Sequence, residues 1–339
     1  MIEMRRNKRR VFAASLLGCV LFAGAAAHAD KGEEHNYSGL ALGARGEIAI
    51  VDQATDTVSI WSRRGKLLVR FGGEGSAEGS LREPRGVTFG WAGIVVADTG
   101  NRRVCVFDEK GRHQFSIGAA GQEEFARPID VAIDSHGDLY VVDTDKNCLQ
   151  IYDASGDFIA TFGEEGTEHG QFRRPLGIAV DSRDRVTVAD CGNQRVELFE
   201  RGVHPGELRH AATLYSFFGP HGVSVDAADH IIVTESWGGS VLVFDADGRP
   251  IGERTHWGLK ALEGACDAVM TDAGRIYVAA PGRRELVCLG LDELQPYRRD
   301  RGIRGLAMNA RGELLVVEEQ SHLVRVLDAT GEELAQLGH

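Results

Sequence analysis

The 339-residue sequence carries 50 acidic against 38 basic side chains, a formal charge of −12. A surface of that sign repels phosphate backbones and anionic lipid heads, which sets nucleic acid aside as a partner. Length alone suggests two domains, but the sequence has no Pro/Ser-rich linker and no long helical period, so one continuous domain is expected.

In chain order, the first element is a leader. Arg5, Arg6, Lys8, Arg9 and Arg10 precede the apolar run VFAASLLGCVLFAGAAA, which ends in Ala27-His28-Ala29. That order predicts a secretory signal peptide over 1–29, cleaved after Ala29, and the short Ala/Gly-rich run argues against a spanning helix. Arg9-Arg10-Val11-Phe12 resembles a twin-arginine export motif, with general secretory export as the alternative. Leu16-Leu17-Gly18-Cys19 resembles a lipobox, which would leave a lipid anchor on Cys19. Both resemblances point to a bacterial source, so a periplasmic or secreted location is expected. Without 1–29 the chain keeps 33 basic and 49 acidic residues, a formal charge of −16. It also keeps five cysteines (Cys105, Cys148, Cys191, Cys266 and Cys288). Odd in number, spread out and lacking a CxxC pair, they read as buried free thiols.

After a short segment at 30–36, the chain repeats itself. An acidic residue followed six positions later by an apolar one recurs at Asp52–Val58, Asp98–Val104, Asp143–Leu149, Asp190–Val196, Glu235–Val241 and Glu318–Val324, with Ala280–Leu286 fitting if Ala280 replaces the acid. The period of about 45 residues predicts a radial array of seven units, approximately 37–84, 85–128, 129–175, 176–220, 221–265, 266–303 and 304–339. Each unit reads as four strands. The first opens on Gly or Asp (GVTF, DVAI, GIAV), and the second is wholly apolar (IVVA, LYVV, VTVA). The third alternates and ends on an aromatic: Trp61, Phe107, Tyr152, Phe199 or Phe244. Gly-containing turns such as SHGD, EKGR, ASGD and ADGR link the strands. Units apolar on both faces need neighbours, so an all-β propeller in residues 37–339 is expected.

The pattern Pro175-Leu176-Gly177-Ile178, then Asp190-Cys191-Gly192-Asn193-Gln194-Arg195-Val196, with Phe162-Gly163…Gly166…Gly170-Gln171-Phe172 before it, resembles the NHL-repeat β-propellers. The resemblance implies four-stranded blades and leaves the activity open. Such propellers often have six blades. Seven units are counted here, and six remains the alternative because unit six lacks the acid and unit seven is short.

Two places concentrate polar groups. The acids Asp52, Asp98, Asp143, Asp190, Glu235 and Glu318 should ring the face that carries the turns between strands two and three, here termed the turn face. Sheets about 10 Å apart cannot share one ion whose oxygens sit at roughly 2.3–2.6 Å, so these acids are expected to close their turns through local backbone hydrogen bonds. The starts of the inner strands bring Arg85, Asp130, His221, Asp267 and Arg304, with Cys266, to one channel mouth. Unit five adds Glu235, Trp237, His256 and Trp257 on the same face, which suits recognition.

Similar propellers include a peptide-amidating lyase, whose zinc is held by histidines of several inner strands, and lactonases with a central calcium. Here His221, Asp130 and Asp267 are the candidate ligands. The positions matching His221 are Arg85, Ile129 and Leu176, and zinc needs three protein ligands, so no metal or other cofactor is expected, with zinc or calcium as the alternative. No GxSxG stretch occurs. The expected function is that of an exported binding or scaffold module for a protein or small polar ligand on the turn face. The alternative is a metal-assisted lyase- or lactonase-like enzyme at the channel mouth.

Overall fold

The computed structural model describes residues 37–42, 47–53, 55–62, 67–90, 93–118, 124–226, 228–235, 237 and 240–251, and then the strands between 267 and 337. The expected leader, Cys19, His256, Trp257 and Cys266 lie outside the described residues.

Among the described residues, twenty-seven strands form seven antiparallel sheets, each built from consecutive strands. Six sheets have four strands, and the described residues of blade 5 form three (Pro220–Val225, Ile231–Glu235 and Ser240–Phe244) with an isolated bridge from Phe244 to Pro250. The inner strands of neighbouring blades contact one another around the ring, and the first blade's inner strand, Tyr37–Leu42, meets the last blade's, Ile303–Met308, to close it. The molecule is an all-β propeller with seven sheets.

The strands form where the sequence pattern places them. The second strand of blade 4, Val186–Asp190, is buried throughout because sheets cover both its faces. The aromatics ending the third strands fill the gaps between blades: Phe71 and Phe107 lie 4.4 Å apart between blades 1 and 2, and Phe162 and Phe199 lie 4.9 Å apart between blades 3 and 4. Gly111, Gly137, Gly156 and Gly248 supply positive φ in the hairpin turns, and Asp184 and Asp229 adopt φ 61° and 64° in the equivalent turns of blades 4 and 5. Cys105, Cys148 and Cys191 are buried and form no disulfide.

The alternating polar residues of the third strands, Ser59, Cys105, Gln150 and Glu197, are buried. In blades 3 and 4 the preceding link folds back over the turn-face end of the sheet and covers Gln150 and Glu197, which contact Glu124, His169 and Gly170.

Inner strands open on glycine for a steric reason. A Cβ on Gly86 would lie 2.8 Å from Asp130 Cα, and one on Gly177 would lie 2.8 Å from His221 O in the next blade. At Gly86 and Gly177 the inner strands approach so closely that a side chain would clash.

Candidate functional site

The turn-face motif resolves into a set of latches. Asp190 accepts the Arg173 N–H at 2.7 Å, the Asn193 side-chain N–H at 2.7 Å and Arg195 Nε–H at 2.9 Å. Asn193 in turn donates to Gly166 O, and Arg195 donates to Thr167 O, Glu168 O and Gln171 O. Blade 2 repeats this: Asp98 takes Arg82 N–H, Asn101 and Arg103, while Asn101 and Arg103 hold the carbonyls of Gly75, Ser76, Ala77 and Ser80. The near-identical segments 96–107 and 188–199 therefore each clasp a preceding FGxxGxxxG loop. Blade 3 follows a different link, and there Gln150 and Lys146 both donate to Glu124 O instead.

These bonds revise the expected role of the acids. Asp98, Asp143, Asp190 and Glu235 accept N–H groups from the incoming link, 16 or 17 residues back, rather than only from their own turns. Burial pushes the Asp143 and Asp190 carboxyls above the usual range, an effect opposed by the backbone N–H groups they accept. Asp52 accepts the Thr55 hydroxyl at 2.9 Å. The side chain of Glu318 lies outside the described residues.

The channel mouth differs from expectation at Asp130. It occupies the place where Gly86 and Gly177 open their strands, and its carboxylate accepts the N–H of Val131 at 2.9 Å and of Ile178 in the next blade at 3.1 Å. An N–H stranded between converging strands needs an acceptor, so Asp130 is a wall residue, 1% exposed. Asp267 begins an inner strand and Arg304 lies in another, but their side chains are outside the described residues.

His221 and Arg85 do converge, and Arg174, which the sequence did not single out, joins them. His221 is pushed down to about 4 by burial and by the charges of Arg174 and Arg85. Its Nδ1 is buried and has no hydrogen-bond partner among the described residues. Arg174 is exposed and held by its N–H on Asn147 Oδ1 at 2.7 Å. Arg82 and Arg173 are exposed on the same links. The mouth over blades 2 to 5 is thus cationic in an acidic protein.

Beside it stands an aromatic ridge. Blades 2 and 4 carry Gly100 and Gly192 in their turns, where a Cβ would come within 2.7 and 2.6 Å of the link residues Arg82 and Arg173. Blade 5 has Trp237 at that position. Its ring lies over Gly219, whose φ is 72°, within 2.6 Å of where a Cβ would stand. The preceding link is short: Phe217 is buried as a plug, while Tyr215 is 62%, Phe218 60% and Trp237 56% exposed. Phe218 meets Trp237 edge to face at 6.5 Å, and Glu235 fixes the ridge by accepting Phe218 N–H at 2.5 Å. Trp237 and Glu235 were legible as site candidates. Tyr215 and Phe218 were missed, although the truncated link LYSFFGP was the available cue.

Comparison with known proteins bears on this architecture. A family model described as a 6-bladed beta-propeller matches residues 80–194, which span blades 2 and 3 and the first two strands of blade 4. The chain is 32% identical to the protein brain tumor of Drosophila melanogaster over 137 residues, 39% of this chain and 13% of that one. It is 27% identical to the E3 ubiquitin-protein ligase NHLRC1 of Rattus norvegicus over 256 residues, 69% of this chain and 63% of the other. These matches support an NHL-type β-propeller. This NHL propeller spans less than two thirds of those relatives. Its fold is also shared with a catalytically inactive virginiamycin B lyase from Staphylococcus aureus, determined with quinupristin: TM-score 0.67, 11% identity, 89% of this chain and 96% of the other.

Proposed function

We propose that this NHL propeller is a protein-binding module whose turn face grips an acidic polypeptide segment carrying apolar side chains. The observation that carries the reading is the exposed ridge of Tyr215, Phe218 and Trp237 beside the cationic mouth of Arg85 and Arg174, where His221 stays neutral. Exposed aromatics bury large area at small entropic cost, and arginines pair with carboxylates in a defined geometry. NHLRC1 is an E3 ubiquitin-protein ligase, an activity whose object is protein, which supports the same class. An exported, bacterial setting is part of the proposal and rests on the leader-like segment 1–29.

The test is fluorescence anisotropy of the untagged protein with a labelled glutamate-rich peptide containing Phe and Leu, a lysine-rich counterpart and a single-stranded oligonucleotide. The acidic peptide should bind best, and its affinity should fall with added salt. Trp237→Ala and Arg174→Ala should each weaken it by about tenfold, the order of a 1.4 kcal/mol contact. Tighter binding of the oligonucleotide, or an unchanged affinity in both variants, would overturn the reading.

His221 favours a second reading, a lyase- or lactonase-like enzyme at the mouth. An imidazole kept neutral, with one nitrogen unpartnered among the described residues, is available as a base or a metal ligand.

A further inference from the structure

Away from the mouth, the described residues gather two groups of potential metal ligands. In the first, Asp134, His136 and Asp184, the carboxylates are already committed. Asp134 accepts the N–H of His136 and of Asp138, each at 2.9 Å. Asp184 accepts the Ser135 N–H and hydroxyl at 2.7 and 2.6 Å. Ser182 makes the same pair of bonds to Asp229 in the next blade, at 3.0 and 2.7 Å, so this group belongs to a repeated latch between blades.

The second group, His169, Glu197 and His210, is built differently. Glu197 lies in the third strand of blade 4, opposite Thr213 in the fourth. An extra residue in the fourth strand, between the partners of Leu198 and Phe199, brings His210 to the same side as Thr213 although they are three apart. His169 reaches over from the link between blades 3 and 4 and stacks on His210 at 3.8 Å. One nitrogen from each histidine and one Glu197 oxygen lie within 4.8 Å of one another. The Thr213 hydroxyl sits among all three, 2.7 Å from His210 Nε2, 3.2 Å from His169 Nδ1 and 3.4 Å from Glu197 Oε1.

Blade 2 provides an internal comparison. Its register places Cys105 opposite Ser116 and Phe107 opposite His113, and His113 Nε2 lies 2.8 Å from the Ser116 hydroxyl. The histidine–hydroxyl pair is therefore a recurring device. What blade 4 adds is a carboxylate where blade 2 has Cys105, and His169 in the link where the matching loop has Glu78. Only the blade 4 version gathers its ligand atoms among the described residues of these two blades.

We propose that His169, Glu197 and His210 bind a divalent transition-metal ion of the zinc–copper class. Two imidazoles and one carboxylate suit these ions and not magnesium or calcium, which prefer all-oxygen shells. Bonds of about 2.0–2.2 Å require the ligand atoms to draw together around the point the Thr213 hydroxyl now holds. Both histidines are exposed enough to turn, and the ion replaces that hydroxyl as their common partner. Glu197 is held from behind by Gly170 N–H at 3.3 Å and Arg195 Nη2 at 3.2 Å, which orients Oε1 toward the histidines. The fourth position opens to solvent on the outer part of the turn face. The Arg195 cation lowers the affinity below that of a closed structural zinc centre.

The experiment is titration of untagged full-length protein with zinc, competed against a chromophoric chelator, and repeated with cobalt(II) to read the ligand field. One equivalent should bind saturably. His169→Ala and His210→Ala should each weaken it by at least about tenfold, as should Glu197→Gln, while all three variants keep a cooperative thermal transition. His113→Ala, the blade 2 counterpart, and His221→Ala, at the mouth, should keep full binding. Absence of saturable binding in the unaltered protein, or loss only in His221→Ala, would overturn the assignment.

Discussion

At position 237 a single residue decides what blade 5 shows to solvent. The glycines of blades 2 and 4 let the link lie flat against the turn, whereas Trp237 projects and carries Phe218 with it. His221, one strand away, gives the mouth a pH signature. Its folded value is about 4 against an ordinary 6.5, because burial, Arg174 and Arg85 all oppose the cation. The unfolded chain takes up a proton near 6.5 and the folded chain does not. The contribution of His221 is therefore complete above pH 6.5 and is lost as the pH falls from there toward 4. Melting temperatures measured across that window should fall less steeply for His221→Gln than for the unaltered protein, and identical slopes would contradict the assignment.

Among the elements, the latch between link and sheet governs local stability. Arg195 joins Asp190 and Glu197, both fully buried, to three carbonyls of the preceding loop. Arg195→Ala leaves two buried carboxylates without their cation and should cost about 3–5 kcal/mol in urea unfolding. Arg103→Ala, at the same place in blade 2, faces a single carboxylate and is more exposed, so its loss should be smaller. The strands, turns and propeller were readable from the sequence because burial on two faces and the turn glycines leave period and punctuation in the chain. The fate of the turn acids was not readable. Whether Asp190 bonds its own turn or Arg173 depends on where a link 17 residues earlier folds back, and nothing local to the turn records that. Asp130 misled for a related reason. Its position at the start of an inner strand reads as a channel residue, but the neighbouring strand's Ile178 N–H claims the carboxylate. Glu197 and His210 stayed hidden because a one-residue bulge, invisible to simple alternation, sets them on one side.

At the scale of the whole molecule, the apolar faces of neighbouring blades among the described residues cover one another, as in the cluster in which Tyr140 and Val142 of blade 3 pack with Ile178 and Val188 of blade 4. Removing residues 129–175, the unit holding blade 3, exposes both flanking faces at once. The shortened protein should show no cooperative melting transition, and a sharp transition at an unchanged temperature would refute this dependence. The seam matters differently. Since every sheet is made of consecutive strands, the meeting of Tyr37–Leu42 with Ile303–Met308 joins two complete sheets and shares no strand between them. Such a junction is a clasp rather than a weld: strain parts it first, leaving an open arc. The aromatic ridge and the histidine pair sit near the middle of that arc, where curvature would survive a gaping ring.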